Sequence, residues 1–400
     1  MKRLILPLFA LLFVVSILRA DDILSGGAAG TPIKGSWSST ATWFGGVVPT
    51  SADNVTITDG DTVYIDVTCQ VVDLTVGGGT SGALIFASTN PANITVTGSI
   101  LVNAGGTFRC TGSSSGTSNI DSIFVYGNFT NNGYCLDFRT GTAGQVGVAY
   151  VIFTGSGNST LKSIGAYNST QNEFNGITIN KSGKGKLTLQ SDIFLAGGSS
   201  ADLTTTSYLD LRHGLIYTGN YCLVARSTAS NTQIPPSIEN YSSQSYVVGC
   251  VGRGMSSSSV AVREFPLGDA KAYRPIKVHN ATVGGATGHN LRVRLVTGDG
   301  NASDSIASSA IDKITTLRYY KLTYDKSTET GTYPNMSFDK FNLSYGSGDG
   351  ISEGNSNLRV AYTTDSLVNW KSMGQVVAKD TTKFTDPPSY WRVDSLPQAL

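Results

Sequence analysis

Short runs of alternating apolar and polar residues, broken by Gly or Asn-Gly, recur along the first half of the chain. Ile94-Thr-Val-Thr-Gly-Ser-Ile-Leu-Val-Asn-Ala-Gly-Gly-Thr-Phe108 returns as Ile123-Phe-Val-Tyr-Gly-Asn-Phe-Thr-Asn-Asn-Gly-Tyr-Cys-Leu-Asp-Phe138. A looser copy runs from Ile177-Thr-Ile-Asn through Leu187-Thr-Leu and Ile193-Phe-Leu to Gly197. A period of two puts one face of each run inward, and Gly or Asn is expected to supply the positive φ that turns the chain between runs. Repeats spaced by some 20–30 residues are the mark of stacked β-coils, each burying its neighbour's face. The pattern therefore predicts an all-β chain whose first part is a right-handed parallel β-helix or solenoid.

The rhythm changes further on. Val260-Ala-Val, Pro275-Ile-Lys-Val-His, Leu291-Arg-Val-Arg-Leu-Val, Leu317 to Tyr324, Phe341-Asn-Leu-Ser-Tyr and Leu358-Arg-Val-Ala-Tyr are longer strands with clean alternation. In Leu291-Arg-Val-Arg-Leu the apolar residues face one way and both arginines the other, which predicts an antiparallel sandwich with one wet face. Between the two regimes, residues 226–245 lack alternation and carry Pro235-Pro236, so they are the expected linker. Ile306 to Lys313 is helix-like but too short to be decisive.

Residues 1–20 have a separate logic. Met1-Lys2-Arg3 is a basic start, Leu4 to Leu18 an apolar stretch, and Ala20 precedes Asp21-Asp22. This predicts a secretory signal peptide cleaved after Ala20, with Leu18 and Arg19 making an imperfect cleavage site, and no transmembrane span in the mature chain. The expected divisions are then a leader over 21–34, a solenoid over 35–225, the linker, and a sandwich over 246–400. The apolar final residues suggest that this sandwich continues beyond Leu400.

Composition narrows the function. Only 14% of the 400 residues are charged and the net charge is +1, so Ser, Thr, Asn and Gly carry solubility and nucleic acid is excluded as an expected partner. Five cysteines (Cys69, Cys110, Cys135, Cys222, Cys250) cannot all pair internally. Superposing the repeats sets Phe108 against Cys135 and leaves Cys110 one position diagonal to it. A Cys110–Cys135 bridge fits that register, but buried thiols acting as small hydrophobes is the favoured reading. The absence of any C-x-x-C pattern gives zinc no support.

Gly35-Ser-Trp37 through Trp43-Phe-Gly-Gly46-Val-Val-Pro49, followed by Asp53-Asn-Val-Thr-Ile57, Gly60 and Val63-Tyr-Ile-Asp66, resembles the start of the G-eight (G8) β-domain. Leu84-Ile-Phe86, Ile100-Leu-Val102 and Gly105-Gly-Thr-Phe108 fall where that domain has its next strands, so the resemblance covers roughly residues 35–140. The remainder is similar to large surface proteins that bacteria export by the type IX route. In those, such coils precede a segment like Phe265-Pro-Leu-Gly268 and Tyr273-Arg-Pro-Ile276, and a Trp-containing hairpin like Leu358 to Trp370. Their C-terminal sorting domain is not seen in this chain. The resemblance implies architecture and an extracellular, bacterial cell-surface location, not a catalytic role.

Few side chains in the sequence suggest chemistry. His213, His279 and His289 are the only histidines, and of these His213 is best placed for catalysis, with Asp210 and Arg212 nearby. The bland reading, a solvated Asp210–Arg212 pair, is preferred. Asp121, Asp137, Glu173, Asp192, Asp202 and Asp210 are spread singly, without the clustering that a polysaccharide lyase or hydrolase needs. Asp53, Asp59, Asp61 and Asp66, and Gly348-Asp-Gly-Ile-Ser-Glu-Gly354, offer oxygens of the kind that structural Ca²⁺ takes. Turn formation is the simpler account.

Trp37, Trp43, Trp370 and Trp391 are either sugar platforms or, for the first two, a cap on the open end of the stack, which is preferred. Thr363-Thr-Asp365-Ser-Leu-Val-Asn-Trp370 resembles a degraded Asp-box hairpin of structural role. Asp61-Thr-Val, Asp121-Ser-Ile, Asp304-Ser-Ile, Asp365-Ser-Leu and Asp394-Ser-Leu resemble bacterial O-glycosylation acceptors. No catalytic, cofactor or metal residue is assigned. The expected function is a non-enzymatic structural or adhesion protein contacting glycans or matrix through polar faces and loops such as 111–119 and 298–303. Carbohydrate binding or cleavage is the alternative.

Overall fold

A computed structural model describes residues 21–26, 32–87, 91–110, 119–135, 139–140, 147–164, 172–195, 208–226, 237–255, 260–283, 289–299 and 317–326. Beyond these it describes 336–337, 340–344, 361–363, 371–372, 376–377 and 390–393. The signal-peptide, loop 111–118, Ile306–Lys313, Asp-box and Gly348–Gly354 readings lie outside these residues. Among them, no helix is long and apolar enough to cross a membrane.

The first part is a parallel β-solenoid. One face is a ten-stranded sheet that begins Asp22–Leu24, Asn54–Ile57, Leu74–Val76, Ile100–Val102, Phe129–Asn131 and ends Val247–Val248, Leu267–Gly268. A second, eight-stranded face runs from Cys69–Val71 through Asn93–Val96, Asn119–Val125, Gly147–Gly155, Gly176–Lys181 and Tyr208–His213 to Ser237–Glu239. The third face has a four-stranded part, Lys34–Ser36 to Thr107–Cys110, and a five-stranded part from Ile193–Leu195 onward.

The repeats read in the sequence are coils stacked in register. Ile123 pairs with Ile94 and Phe129 with Ile100, the same 29-residue offset on two faces. On the third face Tyr134 bridges Thr107, which sets Cys135 beside Phe108 as superposition suggested. The looser copy is not the next coil: Gly147–Gly155 and Ser159–Ser163 intervene, so Ile177 pairs with Val151. That coil was hidden because residues 136–146 separate its first strand from the preceding repeat.

Alternation fills the interior. Val55, Leu74, Ile100, Phe129 and Leu161 occupy one inward row of the ten-stranded face, and Ile94, Ile123, Val151, Ile177 and Leu209 one of the eight-stranded face, all buried. Removing any of these large side chains to Ala is in the range of about 2–5 kcal/mol. Trp37 and Trp43 close the first coil. Both are buried, their rings meet edge to face at 4.9 Å, and Trp43 Nε1 donates to the Trp37 carbonyl at 2.8 Å.

Glycine works in two ways at the corners. Gly77 takes φ +84, and a Cβ there would lie 2.3 Å from the Ser81 carbonyl oxygen. Gly127 is not left-handed; its place is fixed by proximity, since a Cβ would meet the Gly98 carbonyl oxygen of the preceding coil at 2.4 Å. Asparagine differs from expectation: only Asn172 and Asn240 among described non-glycine residues have positive φ. Asn103 and Asn131 instead hold corners with their side chains, Asn103 Nδ2 donating to Gly77 O at 2.6 Å and Asn131 Nδ2 to Asn172 Oδ1 at 2.9 Å.

Three expected boundaries shift. The leader over 21–34 contains a strand, Asp22–Leu24, which pairs with Asn54–Thr56 and is too short to show alternation. Residues 226–245 do not read as a linker where described: Ser237–Glu239 extends the eight-stranded face, and Arg226 is buried against Glu173. The start of the expected sandwich also belongs to the stack, because Val247–Val248 and Leu267–Gly268 pair in parallel. Prolines and short strands masked the period there.

Cys250–Met255 is the hand-over strand. It pairs in parallel with Leu223–Ala225 and antiparallel with His289–Thr297, which continues to Arg318–Lys326. A second antiparallel sheet joins Val260–Phe265, Ile276–Val283, Lys340–Ser344 and Tyr390–Val393. Apolar residues of both sheets, including Leu291, Val293, Val278 and Phe341, belong to the same core cluster as the coils. The hairpin expected around Leu358 to Trp370 has its flanks paired, Ala361–Tyr362 with Lys371–Ser372.

The disulfide is Cys222–Cys250, between adjacent coils. Cys110 and Cys135 are buried thiols, so the Cys110–Cys135 alternative is overturned in favour of the buried-thiol reading; Cys69 is also a thiol. The pairing was missed because Cys250 lay in the segment assigned to the sandwich. With 28 residues separating the partners, the double substitution Cys222→Ala/Cys250→Ala is expected to cost about 3.6 kcal/mol by chain entropy, read as a lower urea midpoint with an m-value no smaller than the parent's, since the unfolded chain is freed. Gly77→Ala, by forcing both a left-handed Cβ and a clash with Ser81 O, is expected to cost about 1–3 kcal/mol in the same assay, whereas Gly157→Ala, with open space around it, is near neutral.

Candidate functional site

The acids near the first strands are spent on corners. Asp59 accepts from the N–H groups of Gly78 (2.6 Å) and Ser81 (3.0 Å) and from Thr80 Oγ1 (2.9 Å) on the next coil. The Ser81 and Gly78 N–H bonds hold its carboxyl down to about 2. Asp61 is buried and accepts from Ser25 Oγ, Thr58 Oγ1 and Ile33 N–H at 2.5, 2.6 and 2.9 Å. Burial pushes the Asp53 carboxyl up, but Thr50 N–H and hydroxyl and Asp21 N–H more than offset it, leaving it below the ordinary value. Asp66 binds Ser38 N–H and Oγ at 3.1 and 2.6 Å. Among the described residues no group of three or more His, Cys, Asp or Glu is placed to hold a metal ion.

The acids spread singly through the later coils are mostly structural as well. Asp192 accepts from Cys222 N–H at 2.8 Å and pairs with Arg292 at 2.7 Å. Glu173 and Arg226 form a buried ion pair at 2.6 Å. Asp121 points into the stack, 1% exposed, and accepts from Ala92 N–H at 2.8 Å; burial pushes its carboxyl up to about 7. Asp137 and Asp202 lie outside the described residues. A buried lysine that the sequence did not flag, Lys181, spans several coils: Nζ donates to Thr154 O (2.7 Å), Tyr126 O (3.2 Å) and Ser159 Oγ (2.6 Å). Burial lowers its ammonium to about 8.

The histidines are not brought together. His213 ends a strand of the eight-stranded face, whereas His279 and His289 lie in the two different antiparallel sheets. Trp37 and Trp43 are too buried to be sugar platforms, Trp370 lies outside the described residues, and only the strand of Trp391 is described. Of the glycosylation-like triplets, Thr62 and Ser122 are half-buried within strands; Asp304, Asp365 and Asp394 lie outside the described residues.

One surface does collect chemistry: the outer side of the eight-stranded face at its later coils. Tyr150, Gly176 and Tyr208 are register partners on successive strands, and the two tyrosine rings meet across the glycine at 4.6 Å with a 32° tilt. Gly176 makes this contact possible, since a Cβ would lie 2.4 Å from Tyr150 Cδ1. Burial, then the neighbouring Tyr208, pushes the Tyr150 phenol up to about 12. Two residues along, Thr178, Asp210 and Glu239 form the adjacent row. Asp210 is buried and accepts from Arg212 Nε (2.6 Å) and Asn240 Nδ2 (2.7 Å), so the solvated pair expected from sequence has only one solvated member, Arg212.

Register thus makes Asp210 and Glu239 an acid pair on neighbouring coils. The sequence contained its signal, a separation equal to the 29-residue coil offset of the earlier repeats, but Glu239 lay in the segment read as a linker. With Tyr208, Arg212, Glu239 and Asn240 accessible around the buried Tyr150 and Asp210, the face offers hydrogen-bond donors and acceptors to a polyhydroxylated ligand.

A family model of the G8 domain matches residues 42–155. The match runs from the end of the Trp37–Trp43 cap to the end of the Gly147–Gly155 strand, and stacking continues past it without a break, through Gly176–Lys181. No curated protein and no solved structure matches the chain.

Asp121 gives a signed pH prediction. A carboxyl raised from 3.8 to about 7 on folding makes the native state bind the extra proton, so its contribution is undiminished below pH 3.8 and is lost as pH rises to 7. Asp121→Asn keeps an oxygen for Ala92 N–H and is expected to flatten the stability loss between pH 4 and 7, gaining most above pH 7, in urea melts across that range.

Proposed function

We propose that the chain is an exported, non-enzymatic protein of the bacterial cell surface or extracellular matrix, working as a stiff scaffold for display or adhesion. The observation that carries this reading is the use of acids. Asp59, Asp61, Asp66 and Asp192, and Asp53 through Asp21 N–H, lock one segment of the stack to another with their carboxylates, an investment in rigidity rather than proton transfer. The Cys222–Cys250 disulfide agrees with an oxidising compartment. The half-exposed outer row Thr56, Thr75, Leu101 and Thr130 of the ten-stranded face supplies a surface for contact.

Carbohydrate recognition is the second reading, favoured by the Tyr150–Tyr208 stack beside the Asp210–Glu239 row. Immobilised whole chain challenged with an array of polysaccharides, with reducing-end release followed in the same wells, tests both. The scaffold reading expects no reducing-end release from any polysaccharide, and steady product formation overturns it. The recognition reading expects Tyr208→Ala and Glu239→Gln each to weaken glycan retention roughly tenfold, about 1.4 kcal/mol. Retention unchanged in both variants removes this face as the site.

A further inference from the structure

The outer face at Tyr208–His213 and Ser237–Glu239 carries groups that solvent reaches as well as groups that register aligns. Tyr208 is half-buried, the Arg212 side chain is 60% exposed, and Glu239 and Asn240 are exposed. Asp210 beneath them is fully engaged, with Oδ2 accepting from Arg212 Nε at 2.6 Å and Oδ1 from Asn240 Nδ2 at 2.7 Å. Among the described residues, Arg212 keeps both Nη groups for a ligand, and Glu239, whose Oε1 accepts from the Ser237 hydroxyl, keeps Oε2.

Tyr208 reports the field on this face. Burial is the first cause of its raised phenol; the Thr178 side chain holds it down, Asp210 raises it, Arg212 lowers it and Glu239 raises it. Three charged side chains from two neighbouring strands therefore act on one phenol, and two of them are carboxylates. Arg212 is already paired with Asp210, which leaves Glu239 as the uncompensated charge. A carboxylate or sulfate brought against the Arg212 Nη groups stands near both acids. Like charges a few ångströms apart at an exposed surface change binding by about tenfold, an effect that salt screens. A sugar hydroxyl, donor and acceptor at once, satisfies Glu239 Oε2 and Arg212 Nη–H without that repulsion.

We propose that the ligand of this face is an uncharged oligosaccharide laid along the Tyr208–His213 strand, with hydroxyls between Arg212 and Glu239, and that the Asp210–Glu239 pair turns away uronic-acid and sulfated glycans. The proposal rests on the carbohydrate-recognition reading of the face and adds to it the charge and the course of the ligand. From Tyr208 to Arg212 the strand covers about 13 Å, so a short stretch of chain rather than a single ring spans the groups.

The test uses the immobilised whole chain at pH 7 and low salt. Soluble glucan, mannan and galactan oligosaccharides are offered beside the same oligosaccharides oxidised to carboxylates at C6. At least one neutral oligosaccharide is expected to be held about tenfold more tightly than its oxidised counterpart, and salt at about 0.5 M should shrink that ratio to about twofold. Glu239→Gln, which removes the uncompensated charge at an exposed position with little change of shape, is expected to bring the two forms to near parity. Oxidised forms held by the parent chain as tightly as neutral ones, or more tightly, overturn the charge selection and leave carbohydrate recognition standing. Retention of no oligosaccharide of either kind overturns both. A tenfold ratio that persists at high salt and in Glu239→Gln overturns the assignment of selectivity to this acid pair.

Discussion

Parallel pairing between successive coils is the constraint on which the rest depends. Strands about 4.8 Å apart must repeat at every turn, so each inward position must be apolar or, as at Asn131 and Ser163, polar with its partners inside the stack, and each corner must let backbones approach. Ile94 over Ile123 over Val151 over Ile177 meets the first demand, and Gly98 against Gly127 meets the second. A branched residue at such a glycine would push two coils apart, and the fault would spread to all three faces. The repeats are consequently conservative in pattern while free in outward residues.

Corners leave backbone groups unpaired, and the polar residues of this chain are largely spent there. Asp59 satisfies N–H groups of the following coil; Lys181 does the reverse, satisfying carbonyls of Tyr126 and Thr154 on earlier coils. Asn131, Ser163 and Asn172 do both within one buried network that also takes Cys135 N–H. Because a buried unpaired amide is costly, these side chains are as necessary as the apolar rows. A low charged fraction is thus compatible with many specific polar contacts.

Legibility followed the physics of periodicity. Where corners are tight, as between Ile94 and Phe108, the period is visible and the sequence register is the structural one. Where long connections or prolines intervene, as before Gly147 and around Pro235-Pro236, the period is lost although the coils continue. The buried thiols of Cys110 and Cys135 and the buried Trp37–Trp43 pair were readable from local context. The Cys222–Cys250 bridge, the Asp210–Glu239 row and the Lys181 network were not, because each joins residues whose proximity comes only from counting through an obscured coil.

The hand-over at Cys250–Met255 shows why the two regimes form one body. An exposed last coil would present an open edge, and an antiparallel strand, His289–Thr297, covers that edge on the third face. Alternation placed Arg292 and Arg294 together on one side, correctly, but that side is not simply wet. Arg292 reaches Asp192, and Arg294 donates to the carbonyls of Gly219, Asn220 and Tyr221 on the coil corner beneath. The same strand that seals the edge by backbone pairing therefore also clamps the preceding coil by side-chain charge. On the inward side the hand-over strand itself, Cys250–Met255, carries Arg253 beside Ala225 and Leu291 of the core, so the junction concentrates in one place the cations that the solenoid elsewhere keeps apart.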